Sequence, residues 1–152
     1  MISLGALFPE FSLLDQTGRA RTRADFAGKW VVLYFYPKDN TPGCTIEGVG
    51  FSKKKAAFTK LGAEVVGVSK DTVKSHQGFC EKQELRITLL SDPERVLYKA
   101  AEVGTKSIMG HLMFKRSTVI LNPKGIVAWT KEDVAPLAHP DECLEIIAKL
   151  TE

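Results

Sequence analysis

The stretch Pro37-Lys38-Asp39-Asn40-Thr41-Pro42-Gly43-Cys44 holds the residues best spaced for chemistry. Thr41 is a residue type that caps helix N-termini, and Pro42 then falls on the first helical position, where a missing N–H costs nothing. Counting on, Cys44 occupies the third helical position, inside the first turn. Unpaired backbone N–H groups and the positive end of the helix dipole converge there. A thiol so placed is biased toward thiolate, the nucleophilic form. The expected chemistry is attack by the Cys44 sulfur on an electrophile. A helix end contributes about 0.3–1 kcal/mol to that ionisation, and up to about 2 in favourable geometry. An unperturbed thiol is already a few per cent thiolate near neutral pH, so full ionisation gains only about 30-fold. Larger acceleration must come from groups that orient the reactants and stabilise developing charge.

The chain has three cysteines in 152 residues, an odd and small number that argues against a disulfide scaffold. Reduced resting thiols in a cytoplasmic protein are expected, with any disulfide transient and catalytic. Cys143 falls on the apolar side of the last expected helix and reads as core packing. His76/Cys80 and His139/Cys143 are i,i+4 pairs able to chelate zinc. That metal-binding reading leaves the Pro37–Cys44 stretch unused, and no metal or cofactor is expected. A thioredoxin-like disulfide reductase would carry Cys-x-x-Cys, and the residue three after Cys44 is Glu47. The formal charge of +3 is mild. Lys53-Lys54-Lys55 reads as a solvated helix face, since no recognition motif accompanies it, and no nucleic-acid partner is expected. No apolar stretch reaches membrane-spanning length. Pro9 and Glu10 interrupt what would have to be a signal peptide, and a basic n-region is missing, so no leader is expected.

The elements that must hold these residues follow from pattern. Phe11 to Leu14 and Ala20 to Arg23 flank the turn Asp15-Gln16-Thr17-Gly18, which predicts an N-terminal hairpin. Val31 to Tyr36 reads as a buried strand, leading into a helix from Thr41 to about Leu61, ended by Gly62. Ala63 to Ser69 is a second buried strand. Asp71 or Thr72 caps a helix to about Glu84, with Val73, His76, Gln77 and Cys80 along one side. A short strand over Thr88 to Leu90 precedes a helix from Pro93 through Ala101. Ser117 to Leu121 and Ile126 to Trp129 flank Asn122-Pro123-Lys124-Gly125, a hairpin, and His139 or Pro140 opens the last helix, with Cys143, Ile146, Ile147 and Leu150 apolar. This order predicts one α/β domain over residues 1–152, with parallel strands first and antiparallel strands closing the sheet. It fits a thioredoxin-like fold with an N-terminal β-hairpin extension. The Pro37–Cys44 loop lies at the carboxyl end of a strand, where ligands bind in open sheets.

Pro37, Thr41 and Cys44, as Pro-x-x-x-Thr-x-x-Cys, resemble the active-site signature of peroxiredoxins. Thr41-Pro42-Gly43-Cys44-Thr45-Ile46-Glu47 is similar to the peroxiredoxin Q, or bacterioferritin comigratory protein, subfamily. Lys106 to Gly110 and Arg116 to Ile120 are similar to later segments of it. The resemblance implies a thiol peroxidase that reduces hydrogen peroxide and alkyl hydroperoxides and is recharged by thioredoxin or a similar dithiol, acting as a monomer. Cys44 would become a sulfenic acid. Thr41 would orient thiolate and peroxide, Arg116 would hold the thiolate and the oxygen that gains charge, and Pro37 would shield the pocket. The N–H groups of Gly43 and Cys44 would complete the cradle. Some subfamily members carry a second cysteine five positions after the first; here that position is Val49. The resemblance then moves resolution to Cys80. Two cysteines on separate helices need local unfolding to bond. Gly48, Gly50 and Gly78 are the expected weak points, at about 1 kcal/mol each relative to alanine. A peroxide sensor that passes oxidation to a partner would use the same residues. Glu47 reads equally as a partner of Arg116 or as a solvated helix residue.

Overall fold

Alternation along the central strands sorts the apolar side chains onto two faces. The computed structural model describes residues 1–152. Its elements are β1 (Ser12–Asp15), β2 (Ala20–Thr22), β3 (Trp30–Phe35), α1 (Pro42–Lys53), α2 (Lys55–Lys60), β4 (Ala63–Ser69), α3 (Val73–Gln83), β5 (Thr88–Ser91), α4 (Val96–Ala100), β6 (Thr105–Ile108), β7 (His111–Phe114), β8 (Ser117–Leu121), β9 (Val127–Lys131) and α5 (His139–Leu150). Seven strands form one sheet in the order β2-β1-β5-β4-β3-β8-β9. β3, β4 and β5 run parallel, while β8 and β9 close one side antiparallel and the β1–β2 hairpin closes the other. The parallel-then-antiparallel order and the N-terminal hairpin are as the sequence predicts. No helix is long and apolar enough to cross a membrane.

Successive β3 residues point to opposite faces, as the two-residue strand period requires. Val31, Leu33 and Phe35 join a cluster of 17 buried residues with Phe8, Phe26, Val68, Leu97 and Tyr98. Val32, Tyr34 and Tyr36 join a cluster of 15 with Phe51, Phe58, Phe79, Ile147 and the three sulfur positions Cys44, Cys143 and, at its margin, Cys80. Helix α5 packs against α1 closely enough that a Cβ on Gly50 would stand 2.8 Å from Pro140 Cγ.

Four expectations change. The helix after Thr41 ends at Lys53, and α2 restarts beyond Lys54, whose backbone (φ −100°, ψ 6°) leaves helical geometry without any Gly or Pro to signal it. The helix expected from Pro93 begins at Val96. Asp92 accepts hydrogen bonds from the N–H groups of Val96 (2.7 Å) and Leu97 (2.9 Å), and Arg95 turns through φ 61° to bring them within reach. On α3 the buried side carries His76 and Phe79, whereas Gln77 faces solvent. The β6–β7 hairpin, turning at Met109 and Gly110 with positive φ at both, was not expected at all.

Candidate active site

Strand β3 delivers the chain to the site, and β8 delivers the cation. Phe35, the last residue of β3, pairs with Ser117, the first of β8. The loop that carries Pro37 to Cys44 therefore starts beside Arg116. Cys44 is the third residue of α1, as counted from the sequence, and is buried. Arg116 Nη2 donates to Cys44 Sγ at 3.4 Å, and Nη1 donates to Glu47 Oε1 at 2.7 Å. One guanidinium thus spans two acidic groups on the same face of α1, the spacing expected for residues three apart on a helix. Its planar fork allows this, where an ammonium would offer a single point charge.

The surroundings tune these charges. Glu47 is fully buried and its Oε2 has no partner. Burial pushes its carboxyl up to about 7, against the pull of Arg116. For Arg116, burial opposes the charge, but Glu47 and then Cys44 override it and hold the guanidinium more firmly protonated than usual. The alternatives the sequence left for Glu47 are decided: it is the partner of Arg116. Gly43 has a steric reason as well, since a Cβ there would meet Arg116 Nη2 at 3.0 Å and Pro136 Cγ at 3.7 Å. Pro136 is a neighbour of the site that no sequence signal marked. It is brought there by the loop whose Val134 N–H donates to the Arg116 carbonyl at 2.9 Å.

Thr41 stands at the helix N-cap by backbone (φ −92°, ψ 153°), but its side chain does not cap. The hydroxyl donates instead to the Lys38 carbonyl at 2.7 Å. Its proton being committed, its lone pairs are what it can offer an incoming O–H group. Gly43 and Cys44 are among the first residues of α1, so their N–H groups have no intrahelical acceptor. Pro37 is half-buried at the end of β3.

Cys80 sits on α3, half-buried at the edge of the cluster that contains Cys44. All three thiols are free. Burial, then the charges of Asp39 and Glu81, push the Cys80 thiol up to about 11. Its thiolate population is thereby cut on the order of a hundredfold relative to a solvated thiol. Cys143 is fully buried and pushed higher still, chiefly by burial, as befits a core thiol. The two His/Cys pairs do not converge on a common point. His76 faces Asp39 (2.6 Å) and the Leu90 carbonyl (3.0 Å), while His139 is taken up by Thr118 and by Glu142 (3.0 Å). No cluster of metal-ligating side chains combines the two pairs.

The chain has clear relatives among known proteins. The AhpC/TSA family model matches residues 4–130. The Xanthomonas campestris pv. campestris protein named peroxiredoxin Bcp is 46% identical over 132 residues, 84% of this chain and 81% of that one. The chloroplastic peroxiredoxin Q of Triticum aestivum is 40% identical over 150 residues, 98% of this chain and 68% of that one. Among solved structures, a Xylella fastidiosa PrxQ mutant superposes with a TM-score of 0.94 at 32% identity, covering 100% of this chain and 99% of the other. A Xanthomonas campestris bacterioferritin comigratory protein, studied for its alkyl peroxide reduction, superposes with a TM-score of 0.88 at 37% identity, covering 93% and 92%.

Proposed function

The chain belongs to the AhpC/TSA family as a thioredoxin-fold peroxiredoxin, an enzyme that reduces peroxides, and on that premise we propose that Cys44 is its peroxidatic thiol and Cys80 its resolving thiol. The observation that carries the reading is the guanidinium of Arg116 held between Cys44 Sγ and Glu47. Residues 1–152 work as one catalytic unit. The Cys44 thiolate attacks the nearer peroxide oxygen of hydrogen peroxide or an alkyl hydroperoxide. The S–O bond forms as O–O breaks, and the leaving oxygen takes up a proton to depart as water or alcohol. Cys44 is left as sulfenic acid. Arg116 stabilises the charge that passes from sulfur to oxygen, the kind of preorganised contact worth about 10²–10³ in rate. Thr41 accepts the peroxide O–H, and the N–H groups of Gly43 and Cys44 face the same oxygen pair. Pro37 keeps water from the pocket.

The Cys80 thiolate then attacks the sulfenic sulfur. The S–S bond forms, the S–O bond breaks, and hydroxide leaves as water after gaining the proton Cys80 gave up. Leaving its half-buried position frees Cys80 from the burial that suppresses its thiolate, so the same opening that lets the sulfurs meet also activates the attacker. Thioredoxin or a similar dithiol reduces the disulfide by exchange. The enzyme acts as a monomer in the reducing cytoplasm. The test is peroxide consumption with a thioredoxin system, using Cys44→Ser, Cys80→Ser and Cys143→Ser. Activity is expected to vanish in the first, to lose its thioredoxin dependence in the second and to persist in the third. Full thioredoxin-dependent turnover in Cys80→Ser would overturn the resolving role.

A further inference from the structure

Asp39 is buried in the loop before Cys44, and His76 is buried on the helix that carries Cys80. Asp39 lies five residues before Cys44 (44 − 39) in the loop that leads into α1, and His76 lies four before Cys80 (80 − 76), about one turn away on α3. His76 Nδ1 is 2.6 Å from Asp39 Oδ2, and His76 Nε2 is 3.0 Å from the Leu90 carbonyl. A carbonyl only accepts, so Nε2 donates to it, and Nδ1 is left to bond with Asp39. Three more bonds converge on the same two segments. Tyr36 Oη donates to Asp39 Oδ1 at 2.6 Å, Ser75 Oγ to Asp39 Oδ2 at 2.9 Å, and the Asp39 N–H to Asp71 Oδ2 at 2.8 Å. None of these residues hydrogen-bonds to the Cys44 sulfur, whose bonded partner is Arg116, and the peroxide step as proposed uses none of them.

We propose that Asp39 and His76 are positioning residues for the resolving step: a buried clasp that ties the Cys44 loop to the Cys80 helix, holds both folded while peroxide reacts, and must open before the disulfide can form. This rests on the reading of Cys44 and Cys80 as the reactive pair. Because one bond network spans both segments, the two open together, and the strength of the clasp sets how often they do. A buried hydrogen bond to a charged group is worth roughly a factor of ten or more in such an equilibrium, and a neutral one a few-fold.

Two substitutions of His76 separate the clasp from packing. His76→Asn places an amide near the Nδ1 position and keeps the contact to Asp39. His76→Gln reaches the Leu90 carbonyl and gives up Asp39. Reduced protein is mixed with stoichiometric hydrogen peroxide without reductant. Sulfenic acid is trapped with dimedone, and the Cys44–Cys80 disulfide is followed by peptide mass. In His76→Gln, sulfenic acid formation is expected within about threefold of wild type, and disulfide formation on the order of tenfold faster. His76→Asn is expected to match wild type in both steps. Ser75→Ala, a milder change, is expected to speed disulfide formation about threefold. Amide exchange on the reduced proteins is a second reading that needs no peroxide: residues 39–46 and 73–83 are expected to exchange faster together in His76→Gln. Unchanged disulfide formation in His76→Gln and Ser75→Ala, or equal acceleration in His76→Gln and His76→Asn, would overturn the clasp. If wild type forms no Cys44–Cys80 disulfide, the resolving role of Cys80 fails separately. The exchange measurement then decides the clasp, and unchanged exchange in His76→Gln overturns it.

Discussion

Arg116 and Glu47 show how a residue's surroundings set its role. Arg116→Lys preserves the charge but not the fork, so it cannot serve Cys44 and Glu47 at once. A loss of about 10²-fold in kcat/KM for peroxide is expected, measured by peroxide consumption; near-wild-type turnover would mean that charge alone suffices. Glu47 gives a pH prediction. Its carboxyl ionises near 7 in the folded protein against an ordinary 4.5, because burial disfavours the charge. The folded state therefore binds the proton more tightly than the unfolded state. That contribution is fully present below about 4.5, declines as pH rises toward 7, and is gone above it. Glu47→Gln removes the titration, and the fall in stability across that window, on the order of 3 kcal/mol at most, is expected to shrink in urea unfolding series. An unchanged slope would assign it to other groups. At this scale the motif singled out Cys44 and Thr41, and the resemblance of a later segment singled out Arg116. The sequence could not show the hydroxyl of Thr41 donating to Lys38, or Glu47 buried with one oxygen unpartnered. Both depend on which neighbours the fold delivers.

At the scale of elements, glycines within two helices have opposite consequences. A Cβ at Gly50 would stand 2.8 Å from Pro140 Cγ, so Gly50→Ala is expected to destabilise by about 1–3 kcal/mol through overpacking, despite alanine's better helix propensity. At Gly78 nothing lies within 4 Å, so Gly78→Ala is expected to stabilise by about 0.5–1 kcal/mol. Two positions from Cys80, it is also expected to slow disulfide formation several-fold, because the helix melts less often. Denaturant midpoints and the mass-resolved disulfide rate check the two claims; a faster rate in Gly78→Ala would break the link between helix stability and resolution. The long buried strands β3 and β4 and the helices α3 and α5 were readable because their patterns are strong. The Lys54 break, the late start of α4 and the β6–β7 hairpin were not. Asp92 caps α4 through side-chain bonds that Pro93 disguises, and Met109-Gly110 is a turn with only one glycine to announce it.

At the scale of the molecule, the sheet brings together residues 72 apart in sequence, Cys44 and Arg116, by pairing β3 with β8. The sequence predicted the strand types. It could not give their order, which long-range pairing sets. The two clusters lie on opposite faces of that sheet; Cys44 and Cys143 belong to one of them, and Cys80 packs at its margin. Limited proteolysis of the disulfide form is expected to cut first within residues 42–53 and 73–83, at least several-fold faster than in the reduced form. The segments packed in the other cluster, α4 among them, are expected to resist equally in both forms. Early cleavage at α4 would show that opening spreads across the sheet. The 17-residue cluster, without a single cysteine, then has a second meaning. If each turnover opens the cysteine side as proposed, the molecule must not lose its way back: that side would be worn and renewed in each cycle, and the other would be the mould against which it is recast.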